Sequence, residues 1–109
     1  MKLIIAIVQD EDASRLISTL MNEGYSVTKL ATTGGFLRAG NTTLLLGGED
    51  DRVKGALDVI ERVCKSRKQI ATSPSPVAGT SGVYAPYPIE VVVGGATVFV
   101  LDVEQFVKF

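Results

Sequence analysis

The chain begins with an unbroken, branched apolar run, Leu3 to Val8, as expected of a strand buried on both faces. Asp10 and Asp12 then supply the caps and negative charge that favour a helix start. Leu16, Ile17, Leu20 and Met21 recur at helical spacing until Gly24 offers a C-terminal stop. Tyr25 to Thr32 reads as a second strand, with Thr28 and Lys29 between apolar Val27, Leu30 and Ala31. A glycine-rich segment, 33–41, leads into a third strand, Thr42 to Leu46, which Gly47-Gly48 ends. The clearest helix is EDDRVKGALDVIERVCKSRK. Val53, Ala56, Leu57, Ile60, Val63 and Cys64 line one face, acids crowd its start, and Lys and Arg crowd its end.

One stretch has no periodicity. ATSPSPVAGTSGVYAPYP holds all four prolines among serines and glycines, and it predicts a long loop, 68–88, ordered by Tyr84 and Tyr87. Long loops inside compact domains are uncommon and often functional. Beyond it, Ile89–Val93 and Ala96–Leu101 flank Gly94-Gly95, a two-residue hairpin signal. The tail DVEQFVKF reads as a short helical turn closing over the core. The order is strand, helix, strand, strand, helix, strand, the last elaborated into a hairpin: an α+β, ferredoxin-like βαββαβ plan. Two helices cover one sheet face only, so the apolar strands predict oligomerisation around the other.

Composition narrows the function classes. With 109 residues the chain reads as one domain, 1–109. A formal charge of −1, scattered Lys and Arg, and seven aromatics (four Phe, three Tyr) argue against a nucleic-acid partner. No stretch approaches the roughly 20 apolar residues of a membrane span. The N-terminus reads as a first strand, not a signal peptide, and the single cysteine fits a reducing compartment, so a cytoplasmic protein is expected. Histidine is absent, which removes the commonest general base and transition-metal ligand. Neither a zinc site nor a Ser-His or Cys-His nucleophile can be assembled; acid–base chemistry by Asp and Glu stays open, so the expectation of an enzyme falls, and neither a metal nor a cofactor is expected.

The segment LATTGGFLRAGNTTLLLG raises the sharpest question of chemistry. Gly35 to Thr42 has the spacing of a Walker A loop, and VFVLD, Val98 to Asp102, resembles the acidic strand end that would hold magnesium. Asn41 stands where the phosphate-binding Lys must be, however, and a β-branched strand follows where a helix must start. A phosphate-transfer loop is thereby excluded. Two readings remain from the residues alone. The glycines make a plain hairpin turn, or they free backbone N–H groups for phosphate oxygens while Phe36 stacks on a flat ligand and Asn41 meets a base edge. Cys64 on the apolar helix face reads as core, and the acids at 49–51 as dipole-stabilising helix-start charge.

The runs TKLATTGGFLRAGNTT and PYPIEVVVGGATVFVLDVEQF, in a resemblance that extends over essentially the whole chain, are similar to the PII-like cyclic di-AMP receptor family of the DarA/PstA type found in Firmicutes. That resemblance implies a PII-type ferredoxin-like sandwich, a homotrimer, and one cyclic di-AMP bound in each cleft between subunits. It implies a short loop after the second strand and a long one after the second helix, a signalling role through loop conformation, no catalytic activity, and an unidentified downstream protein partner. Carried over by residue, Thr28 and the backbone near Gly47 fit contacts to adenine. Gly35, Phe36 and Leu37 fit the loop that holds the phosphates and packs on a base, Asn41 a polar contact beside it, and Phe99 an aromatic wall of the cleft. Two positions depart from the family pattern: Ser26 stands where relatives tend to have Arg, and Lys108 where they often have Gln. The alternatives are a PII-like sensor of ATP or ADP, and a trimeric interaction scaffold that binds no nucleotide.

Overall fold

The computed structural model describes residues 1–30, 40–76 and 84–109, with side chains described outside 71–76 and 84–87. Its elements are β1 (Lys2–Gln9), α1 (Asp10–Asn22), β2 (Thr28–Lys29), β3 (Asn41–Gly48), α2 (Asp50–Cys64), β4 (Arg67–Pro76), β5 (Tyr84–Val93) and β6 (Ala96–Asp102). Among the described residues, no helix is long and apolar enough to cross a membrane.

Four strands form an antiparallel sheet in the order β2-β3-β1-β6, and β4 and β5 form a separate two-stranded ribbon. With β6 as the fourth strand, this is the strand order of a ferredoxin-like sheet, with the ribbon inserted between α2 and the last strand. The expected α+β, antiparallel, two-helix architecture is therefore present. Strand β1 is central, pairing with β3 from Lys2↔Gly48 to Gln9↔Asn41 and with β6 from Lys2↔Asp102 to Val8↔Ala96.

Side-chain alternation divides the sheet into two faces. Ile4, Ala6, Val8, Leu44 and Leu46 pack against Ala13, Leu16 and Leu20 of α1 and Ala56, Val59, Ile60, Val63 and Cys64 of α2, which together make the core. The opposite face carries Leu3, Ile5, Ile7, Leu45, Phe99 and Leu101, and no helix among the described residues covers it. Phe99 is 51% exposed there and Leu101 47%. The uninterrupted apolar run of β1 thus reflects one face buried within the chain and one only partly buried. In α1 the expected stripe holds at Leu16 and Leu20, but Met21 is 60% exposed.

Four expectations are corrected. Most of 68–88 is not a loop: β4 and β5 pair from Arg67↔Val93 to Pro76↔Tyr84. The prolines hid this because strand signals weigh against Pro, yet both strands of a two-stranded ribbon are edges, where Pro is tolerated. Secondly, Gly94-Gly95 is no hairpin turn, since β5 pairs with β4 and β6 pairs with β1. Both glycines have positive φ, 82° and 94°. They make a corner against the end of α2, where Gly95 N–H donates to the Cys64 carbonyl and satisfies a helix-terminal acceptor. Gly94 N–H donates to Gln9 Oε1 at 2.8 Å. Thirdly, the tail after Asp102 forms no helix; Val103 N–H donates to the Met1 carbonyl at 3.1 Å, and Phe106 is 64% exposed. The second strand is also shorter than expected on its N-terminal side, because pairing with β3 begins only at Thr28.

Candidate functional site

A groove of about 640 Å³ lies on the open face of the sheet, between the β2–β3 side and the C-terminal tail. Leu3, Leu45 and Gly47 form part of its floor, Ser26 and Thr28 one wall, and Phe106, Val107 and Lys108 the other. Register explains why these residues meet. Thr28 sits opposite Leu45 and Leu3 opposite Gly47, so all four share one face. Gly47 leaves the floor open beside Leu3, and a Cβ there would come within 3.9 Å of the Met1 side chain. Lys108 is the single charged side chain among the described lining residues. The Met1 ammonium, also at the rim, pairs with Asp50 at 2.9 Å, and that hydrogen bond raises its pKa while lowering that of Asp50.

The Ser26–Thr28 wall follows directly from the end of α1. Gly24, at φ 87°, and Tyr25 return their N–H groups to Met21 (3.0 Å) and Leu20 (2.9 Å). This is the Schellman ending that a glycine after the last turn permits. The chain then runs extended: Tyr25 and Val27 pack toward the core while Ser26 and Thr28 line the groove.

Of the residues singled out from the sequence, Thr28 and Gly47 meet in this groove, together with the departing positions Ser26 and Lys108. Asn41 lies on the same sheet face but four residues before Leu45, roughly 14 Å along β3 from the Thr28 row. It opens a second hollow, about 400 Å³, lined by Gln9, Asp10, Glu11, Gly40 and Asn41. Asp10 organises that end of the sheet: its N–H donates to the Gly40 carbonyl at 2.7 Å and its carboxylate accepts from Thr42 Oγ1. Phe99 shares the row Thr28, Leu45, Ile5, Phe99 across four strands. Three strand spacings put it roughly 14 Å from Thr28, beyond the groove of its own chain. Gly35, Phe36 and Leu37 lie outside the described residues.

Sequence reasoning missed Leu3, Leu45, Phe106 and Val107 as lining residues. Strand parity could have found the first two, since they share alternation with Gly47 and Thr28; nothing local marks the tail. Cys64 is core, as expected: it is fully buried, and that burial raises its thiol pKa to about 11.

One further polar feature sits under the ribbon. The Asp12 carboxylate, 3% exposed, accepts from Arg67 Nη2 at 2.8 Å and Nη1 at 3.3 Å. Arg67 also donates to the Lys65 carbonyl. This ion pair and the Gln9–Gly94 bond tie the base of the ribbon to the β1–α1 junction.

Comparison with known proteins adds two findings. The whole chain, residues 1–109, matches the model of the cyclic-di-AMP receptor family. The chain is also similar to a solved structure described as a functionally unknown protein from Pediococcus pentosaceus ATCC 25745, with 44% identity and a TM-score of 0.77 over 99% of this chain and 96% of that one.

Proposed function

Because this chain belongs to the cyclic-di-AMP receptor family, we propose that it is a PII-like signalling receptor whose Ser26–Thr28–Gly47 groove takes one adenine of cyclic di-AMP. The observation that carries this reading is the convergence of Thr28 and Gly47 on one groove at an open sheet face. The ligand is a dianion with two flat bases. It calls for apolar and aromatic surface, donors and acceptors at the base edge, and N–H groups or cations for the phosphates; it does not call for a general base. Leu3, Leu45 and Phe106 offer the apolar surface, and Thr28 and Ser26 offer hydroxyls. The cation missing at position 26 is offered from the facing wall by Lys108.

The second half of the ligand extends toward Asn41 and the loop carrying Gly35, Phe36 and Leu37. The site lies at a boundary between copies of a homotrimer closed over the apolar sheet face, and the partner subunit's Phe99 completes the aromatic wall. The separation of Phe99 from Thr28 within one chain supports that arrangement. A change in the conformation of the 33–41 loop on binding then alters the surface presented to a downstream protein, in the cytoplasm, without chemistry on the ligand.

Isothermal titration with cyclic di-AMP, cyclic di-GMP and ATP tests this. The expected result is one cyclic di-AMP per subunit and no comparable binding of the others. Phe36→Ala and Asn41→Ala should each weaken binding roughly ten-fold or more, at ~1–3 kcal/mol per lost contact. Preferential binding of ATP, or wild-type affinity in both variants, would reject the reading.

A further inference from the structure

We propose that Tyr25, Arg52 and Gly55 form a clamp that fixes the Ser26–Thr28 wall, and that these three are positioning residues for nucleotide binding. The inference rests on the reading of the groove given above. Its starting point is an anomaly: Gly55 lies inside α2, where glycine weakens a helix relative to alanine. The reason is spatial. A Cβ at position 55 would collide with Tyr25 Oη, although it would stand an ordinary 3.6 Å from ring atom Cζ.

The tyrosine is held from other directions too. Its hydroxyl donates to the Arg52 carbonyl at 3.1 Å. The Arg52 guanidinium lies over its ring, 4.2 Å from the centroid, a cation–π contact. The same guanidinium donates to the Glu23 carbonyl at 2.9 Å. Arg62, ten residues further along α2, pairs with the Glu23 carboxylate at 3.3 Å. Helix α2 therefore grips the chain at 23 and 25, immediately before the groove wall begins. In an extended segment, displacing Tyr25 must carry Ser26 with it, and Thr28 follows through the β2–β3 pairing. The Leu30 N–H, which donates to Thr43 at 3.0 Å, reports on that pairing.

The test is a double-mutant cycle. Gly55→Ala places a methyl against the hydroxyl, pushes the ring and with it the Ser26–Thr28 wall aside, and should weaken cyclic di-AMP binding roughly ten-fold while the chain stays folded. Tyr25→Phe keeps the ring and removes the colliding oxygen, so its loss should be roughly two- to three-fold. The double variant should return to the Tyr25→Phe affinity, because the ring carbon tolerates the methyl. That rescue is what general helix damage would not produce.

Hydrogen exchange in the absence of ligand gives the second arm: Gly55→Ala and Arg52→Met should both speed exchange at Leu30, and Arg52→Met serves alone if Gly55→Ala does not fold. A double variant as weak as Gly55→Ala, or Leu30 protection unchanged in both, would overturn the clamp. Absence of cyclic di-AMP binding by the wild type would instead overturn the functional reading, and the exchange arm would still decide whether the clamp exists.

Discussion

Replacing Phe99 by Glu tests whether the open sheet face is a subunit interface. Phe99 is 51% exposed in the isolated chain. A phenylalanine carries roughly 200 Å² of burial, so about 100 Å² stands open at this position. At ~25 cal/mol per Å², covering it contributes about 2.5 kcal/mol per subunit. Three copies in a closed assembly lose roughly 7 kcal/mol together, about five powers of ten in the assembly constant. The carboxylate, if forced into an apolar interface, makes the loss larger. The folded subunit loses much less, since only the cross-strand pair with Ile5 goes, at roughly 0.2–1 kcal/mol. Light scattering behind size-exclusion chromatography should thus show a wild-type trimer and a dissociated Phe99→Glu variant, with unchanged far-ultraviolet circular dichroism. A variant that elutes with the mass of the wild-type assembly would refute the reasoning; so would a wild type that is monomeric at high concentration.

Two further outcomes are expected. Burial raises the Cys64 thiol from 9.0 to about 11, so the unfolded chain ionises first as pH climbs. Stability is then fully present below about pH 9 and lost between there and about pH 11, by roughly 3 kcal/mol. Denaturant titrations across that window should show the loss in the wild type and not in Cys64→Ala, and an identical pH dependence in both would count against a buried neutral thiol. Arg67→Met removes both donors to the buried Asp12 carboxylate, so amide exchange at the ribbon base, 67–70 and 91–93, should quicken before the four-stranded sheet is affected; uniform quickening across β1 and β3 would show the pair to be a global support.

The helical stripes and the β1–β3 core were legible because period 3.6 and period 2 follow directly from burial on one side of an element. Leu16, Leu20, Ala56, Ile60, Val63 and Cys64 lie where that periodicity puts them. The ribbon was not legible. Its pairing draws on backbone hydrogen bonds between two edge strands, which require no alternation and tolerate Pro74, Pro76, Pro86 and Pro88. The Gly94-Gly95 signal was ambiguous for a related reason. Positive φ marks a sharp change of direction, and only long-range contacts, here with Gln9 and Cys64, decide whether the next strand pairs back or leaves for another sheet. For the site, family resemblance pointed to Thr28 and Gly47, and register brought them together. The approach of Ser26 and Lys108 depends on a tail without local periodicity, and the role of Gly55 depends on a tyrosine thirty positions earlier.

The corner at Gly94-Gly95 has a consequence for how this architecture can vary. The ribbon leaves the body just after Cys64 and returns at Gly95, whose N–H is fixed on that same residue. Departure and return are therefore pinned at one spot, and β6 starts its pairing with β1 from a position that the ribbon does not set. Residues can be added or removed in facing pairs along β4 and β5 without moving Phe99 by a single place in the sheet. The ribbon is a length variable, and the sheet face is a constant.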